Sequence, residues 1–456
     1  MSAPPIPSAR ALARTNGVGG LALSLVLSVA ACAPGAAPAV SPSEIPALEQ
    51  RLAADPDDGD ALLRYAAALY AAGRCDSART VAQRGMAIEP GDALGPLVSG
   101  QCLERAGDYD GAVEAYGAYL AAHAEHRGAA AVRARLSVAR RERAITRARR
   151  ALAEESDVTR QPAEPTALAV LPVDVVGDSV YRPLSRGLAE LMTTDLALLQ
   201  RFRMVERLQV GALLHEMELA DAGRVDEATA ARVGRLLQAG RMVQGLAAIP
   251  PSGATQLEVA VVMSTGEVTA PAQQSGRLED LLRMEKAVVL ELARQMGYEL
   301  SEAERQLLLE SGTQNLAAFL AYSRGLEAED AGDYRAASQH YAEAVRTDPG
   351  FQAAREAYQT AVTVPDVLQA EPGAVSVLAS EPPPPPPTDQ LVAPVVADPL
   401  SSAVIDVAST QIEAVSPTTA PVTTGTTTTA SQPPPTIVVI PPTPLSGVVR
   451  IVFRLP

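Results

Sequence analysis

The chain has 456 residues, enough for two to four domains of ~100–200 residues each. Its 38 basic and 53 acidic side chains leave a net charge of −15, and it has 11 Tyr, 4 Phe and no Trp. That balance argues against duplex nucleic acid as a general partner and against aromatic platforms for single strands. Four His and three Cys leave little material for a protein-built metal site, and Lys286 is the single lysine.

Residues 1–31 read as an export signal. Arg10 and Arg14 give it a positive start, and Leu21–Val29 is a run of nine apolar or small residues, far short of the ~20 that a spanning helix needs. The run ends in Val29-Ala30-Ala31-Cys32, followed by Ala33. This resembles the lipobox of bacterial lipoproteins. The resemblance implies that Cys32 becomes the lipidated mature N-terminus and that, with Ala33 rather than Asp behind it, the protein goes to the periplasmic side of the outer membrane. Two or three acyl chains, at ~0.8 kcal/mol per buried CH₂, hold such an anchor stably. Residues 32–43 form a tether, and no later apolar run reaches ~18 residues.

Residues 44–126 carry an internal period. Gly73-Arg74-Cys75-Asp76-Ser77-Ala78 recurs 34 residues on as Gly107-Asp108-Tyr109-Asp110-Gly111-Ala112, and again as Gly332-Asp333-Tyr334-Arg335-Ala336-Ala337. Small residues stand where paired helices would cross (Ala66 and Ala78, Gly100 and Ala112, Gly325 and Ala337), with Tyr116 and Tyr341 as the bulky knobs. The pattern resembles the tetratricopeptide repeat, a pair of antiparallel helices, over 44–126 and again, with a capping helix, over 313–362. In that arrangement Cys75 and Cys102 lie at one level on neighbouring helices. They are either a disulfide, closing a loop of 28 residues, or two buried thiols. The repeats imply structural scaffolding or peptide-binding partners.

Residues 127–156 read as a long basic helix leaving the repeats. Between Arg127 and Arg150 there are nine Arg and one acid, Glu142. A solvated face is the expected role, with contact to anionic lipid as the second reading. Residues 157–165 read as a linker.

From Thr166 the period changes to that of an α/β domain, assigned to 166–275. Leu168–Val173 is short enough for a buried strand. A helix follows over 183–200, with Leu184, Leu188, Leu191 and Met192 on one stripe. Asp195 falls on that stripe, and its expected partner is a helix N-terminus or an Arg. Next come a strand at 202–206, a helix at 207–217, and a helix capped by Asp226 and ended by Gly240. Strands at 241–249 and 255–263 are joined by Pro250-Pro251-Ser252-Gly253. Residues 276–312 read as a helical extension, its second helix opened by Ser301 and Glu304 as a capping box. The segments ALAVLPVD, RGLAELMTTDLALLQRFRMVERLQVGALLHE and GRVDEATAARVGRLLQAGRMVQG resemble the curli-assembly lipoprotein family (CsgG/HfaB), and the domain also resembles the N-terminal module of TolB. The first resemblance implies outer-membrane anchoring and self-association into rings. Pore-forming members build a barrel from hairpins with strands of ~9–11 residues. Here one compact hairpin, 241–263, is available, so a secretion channel is the second reading.

Residues 363–447 are Pro- and Thr-rich and are expected to be disordered, and the end, 448–456 (with a similar patch at 437–440), is β-prone. Chemistry finds no foothold. His215-Glu216 lacks the second His of a zinc-protease motif, because position 219 is Leu, and His123 and His126 make a two-ligand fragment at most. No catalytic, cofactor-binding or metal residue is assigned, and no cofactor is expected. The fold class is thus a mixed-sheet α/β domain flanked by all-α helical hairpins. The expected function is a non-enzymatic, outer-membrane-anchored scaffold in envelope assembly or curli-like export.

Overall fold

The computed structural model describes residues 40–218, 226–251 and 253–370. The export signal, Cys32, and the assignments made beyond Ala370 lie outside the described residues.

The helical part opens with α1 (Ile45–Ala54), α2 (Gly59–Ala71), α3 (Cys75–Ile88), α4 (Leu94–Arg105), α5 (Tyr109–His123) and α6 (Ala129–Ala153), followed by the single turn α7 (Glu155–Val158). The turns between paired helices are built by glycine. Gly73 and Gly107 sit at φ +75°, in the left-handed region where a side chain is strained. Asp58 and Asp108 cap α2 and α5 by accepting from Ala61 and Gly111.

A six-stranded mixed sheet follows. Its elements are β1 (Glu164–Val170), β2 (Asp174–Gly177), α8 (Leu184–Leu198), β3 (Arg203–Met204), α9 (Arg207–Glu216), α10 (Glu227–Leu236), β4 (Ala239–Ile249), β5 (Ala254–Met263), β6 (Ala272–Arg277), α11 (Leu281–Gln295) and α12 (Glu302–Glu310). The strand order is β3-β1-β4-β5-β6, with β2 also paired to β4. β1 is parallel to β3 and β4, and β5 is antiparallel to both its neighbours. Alternation sorts β1 between two cores: Leu168 and Val170 face α8 and α11, while Ala167, Ala169 and Leu171 face α9 and α10. The chain ends its described part with α13 (Leu316–Asp330), α14 (Tyr334–Thr347) and α15 (Gln352–Gln369).

Several expectations change. The sheet does not stop at 275: β6 runs to Arg277, and α11 covers the sheet with Leu281, Val288, Val289 and Leu292, so it is part of the domain rather than an extension. The stretch 157–165 is structured at both ends, by α7 and by β1 from Glu164. The helix after Asp226 is closed by Gln238 at φ +53°, and Gly240 already lies in β4. Residues 363–369 belong to α15, whose Val364 and Val367 are buried. The basic helix does not leave the repeats. α6 buries Ala131, Val132, Ala134, Leu136 and Ala139 against α4, α5 and the end of α15, and its far end places Ala148 in the core beneath α9 and α10.

Candidate functional site

The residues that join the repeats to the sheet form the best-organised polar site among the described residues. Two repeats carry the same device. Tyr116 on α5 packs against Gly100 on α4 and donates to Glu104 Oε1 at 2.6 Å. Tyr341 on α14 packs against Gly325 on α13 and donates to Glu329 Oε2 at 2.6 Å. Both rings are fully buried, and burial, followed by the neighbouring glutamate, pushes both phenols well above their usual value. The two glutamates stand at equivalent repeat positions, three residues before the turn glycine, and both are held by α6. Arg135 pairs with Glu104, and Ser137 Oγ donates to Glu329 at 3.3 Å. One helix therefore bridges the second repeat to the third.

The end of α13 is the second half of the seam. Three arginines from three elements converge on Asp330. Arg186 of α8 donates to Oδ2 at 3.1 Å, Arg207 of α9 donates to Oδ1, and Arg141 of α6 donates to the backbone carbonyl at 3.3 Å. Arg207 also donates to Glu190 at 2.9 Å. Burial works against its charge, but Asp330 and Glu190 outweigh burial, so its pKa lies above the ordinary value. Cations also suit the negative end of a helix. Beside them, α8 lies on α13 so closely that a Cβ at Gly187 would meet Ser323 Oγ at 1.9 Å. A shallow crevice at the end of β1, lined by Val170, Pro172, Arg186, Arg207, Leu214 and Asp330, opens at the same place.

The basic helix keeps a solvated face, on which Arg147, Arg149 and Arg150 remain exposed, and its arginines are offset by acids from elsewhere in the chain. Arg143 meets Glu206, Arg147 meets Asp110 and Arg149 meets Glu216. Asp195 has neither an Arg nor a helix N-terminus. Its Oδ2 accepts from Lys286 Nζ at 2.5 Å, and its Oδ1 accepts from Ser311 at 2.7 Å. Glu285 is buried beside them, 3.8 Å from Lys286. Cys75 and Cys102 are joined as a disulfide, Cα–Cα 5.4 Å, tying α3 to α4. His123 stacks on Tyr119, whose hydroxyl donates to Gly91 O at 2.9 Å; burial and Asp92 push that phenol up to about 12. His215 is exposed, and Glu216 is taken by Arg149. Among the described residues, no group of three or more His, Cys, Asp or Glu could hold a metal ion, and no helix is long and apolar enough to cross a membrane.

Comparison with known proteins adds the following. Residues 165–249 match the family model of the curli production assembly/transport component CsgG, which spans β1 to the end of β4, and residues 45–95 match a tetratricopeptide repeat model. No curated protein matches the chain significantly. Among solved structures, the one titled Naa15/Naa10 bound to HypK-THB aligns at 15% identity over 70% of this chain. The match covers only 36% of that chain with a TM-score of 0.19, a likeness too low to carry any argument. The chain thus joins a CsgG-type segment to tetratricopeptide repeats in a helical region that leads into a mixed sheet.

Proposed function

We propose that this protein is a non-enzymatic scaffold in curli-type assembly or export, held to the periplasmic face of the outer membrane by lipid on Cys32 and recruiting protein partners through its repeats. The observation that carries the reading is the seam itself. Glu104, Glu329 and Asp330 lock both repeat regions to α6, α8 and α9, an arrangement suited to holding partners in fixed geometry and not to turnover. The CsgG-type match supports a role in assembly, and the repeats support protein recognition. The hairpin that was the barrel candidate is committed elsewhere. β4 is hydrogen-bonded on both sides, and β5 buries Leu257, Val259 and Val261 in the core, which favours the scaffold over the channel. The test is fractionation of native membranes with mass spectrometry of the mature N-terminus, followed by pull-down. An acylated Cys32 in the outer membrane with co-purifying assembly proteins is the expected result. A free thiol or an uncleaved leader overturns it.

A further inference from the structure

Of the 38 basic residues in the chain, 37 are Arg, and the single Lys lies in the core. Lys286 on α11 is 2% exposed, and Asp195 on α8 and Glu285 on α11 are fully buried. The buried pairs of the seam use Arg135 and Arg207, whose guanidinium groups stay protonated. A lysine amine differs: it can give up a proton and become a nucleophile.

The geometry around that amine is complete. Nζ lies 2.5 Å from Asp195 Oδ2, which brings it up against the carbon Cγ one bond further on; reacting atoms need to approach to ~3–3.5 Å. Ser311, which closes α12, accepts from Nζ at 2.7 Å and donates to Oδ1 at 2.7 Å. It thus links the amine to the carboxyl as a proton path, and Leu308 O, 2.8 Å away, holds the hydroxyl in place. Burial, then Asp195, favours the protonated form of Glu285, so that side chain adds no second negative charge to keep Lys286 an ammonium. Both Glu285 oxygens lack a hydrogen-bond partner, although Oε2 is 3.8 Å from Nζ.

We infer that Lys286 Nζ and Asp195 Cγ condense into an isopeptide bond with the loss of one water. One Nζ proton crosses to Oδ2 and turns the ion pair into an amine and an acid. The amine lone pair then attacks Cγ, and a second Nζ proton reaches Oδ1 through Ser311. The two protons meet on one carboxyl oxygen, which departs as water, and the other oxygen stays as the amide carbonyl. Nothing is oxidised or reduced. A neutral amide replaces two buried charges and so removes their desolvation cost. Its N–H also offers the unpartnered Glu285 oxygens a donor. The bond ties α8 to α11, 91 residues apart, and closes a covalent loop containing β3, β4, β5 and β6. The inference rests on these side chains alone and holds or fails independently of the proposed function.

The test is a tryptic map of the full-length chain, denatured before digestion. Cleavage after Arg leaves Asp195 in the peptide Gly187–Arg201 and Lys286 in Met284–Arg294. The expected species is these two peptides joined, uncut at Lys286 and lighter by one water than their sum, with fragment ions placing the link at Asp195. Free Met284–Lys286 and Ala287–Arg294 in its place, or a link placed at Glu190, overturns the inference. In pulse-labelled chain sampled after synthesis, Ser311→Ala should form the bond about a hundred-fold more slowly. Ser311→Thr, which keeps a hydroxyl, should recover the rate. Linkage at the parent rate in Ser311→Ala overturns the proton path.

Discussion

One methyl group is enough to probe the repeat packing. A Cβ at Gly100 would lie 2.3 Å from the Tyr116 ring, and one at Gly325 would lie 2.3 Å from the Tyr341 ring. Neither ring can retreat, because each is fully buried and hydrogen-bonded to a glutamate. Gly100→Ala and Gly325→Ala are each expected to cost about 1–3 kcal/mol, read from thermal or urea unfolding. Gly117→Ala is the control. It lies inside α5 with nothing within 4 Å of the added carbon, so it should stabilise by ~0.5–1 kcal/mol. Glu285 offers a second test at the same scale. It is fully buried, and neither oxygen has a hydrogen-bond partner. Burial, then the charge of Asp195, pushes its carboxyl well above the ordinary 4.5, against the pull of Lys286. The folded chain therefore keeps a proton that the unfolded chain gives up. The resulting stability is complete below pH 4.5 and is lost as the pH climbs towards the folded value. Glu285→Gln is neutral at every pH, so it should melt near the parent at about pH 4 and above it at about pH 8. Melting curves offset equally at both pH values would argue against a buried protonated acid.

At the scale of elements, Asp330 is the lock between α13, α8 and α9. Asp330→Ala strands Arg207, whose side chain is 13% exposed, with Glu190 as the ion-pair partner left beside it. A loss of ~2–4 kcal/mol is expected, since removing one member of a buried set leaves charge uncompensated. Arg149→Ala breaks a pair whose arginine is 68% exposed and should leave the denaturation midpoint unmoved. The Cys75–Cys102 link closes a loop of 28 residues, and reducing it should lower stability by ~3 kcal/mol, measured by unfolding with and without reductant. What could be read in the sequence follows the range of the interactions. The repeat hairpins were visible because Gly73, Gly107 and Gly332, their capping Asp residues and the crossing alanines are local signals at a fixed period. The helices of the α/β domain showed through stripes such as Leu184, Leu188 and Met192. β6 did not, because AQQSGR is a polar edge strand with little alternation to detect. The seam was hidden for a different reason. Arg135 and Glu104 are 31 residues apart, and Arg186 and Asp330 are 144 apart, so nothing local marks which of the eight arginines on α6 turn inward to a distant partner. One signal was there to be used: Glu104 and Glu329 recur three residues before the turn glycine.

For the whole molecule, the question is whether the two repeat regions and the sheet unfold as one body. The front repeats and the α/β domain share no strand, and a chain of this size usually unfolds in stages. Two features work against staging. α6 is buried at one end among α4, α5 and α15 and at the other in the core beneath α9 and α10. α13, α14 and α15 share a single apolar core with α8, α11 and the sheet. Removing the last repeat would uncover α8, and loosening α6 would uncover both cores at once. Calorimetry of the parent chain is therefore expected to show one cooperative transition for residues 40–370, with the calorimetric and van't Hoff enthalpies in agreement. Val364→Asp places a charge in the fully buried contact between α15 and α6, where an unpaired carboxylate is costly. It should split the trace in two, the front repeats melting first and the sheet with α13 and α14 later. A single peak merely shifted to lower temperature in Val364→Asp would mean that the coupling runs through the Asp330 lock instead, and Asp330→Ala should then be the variant that divides the transition.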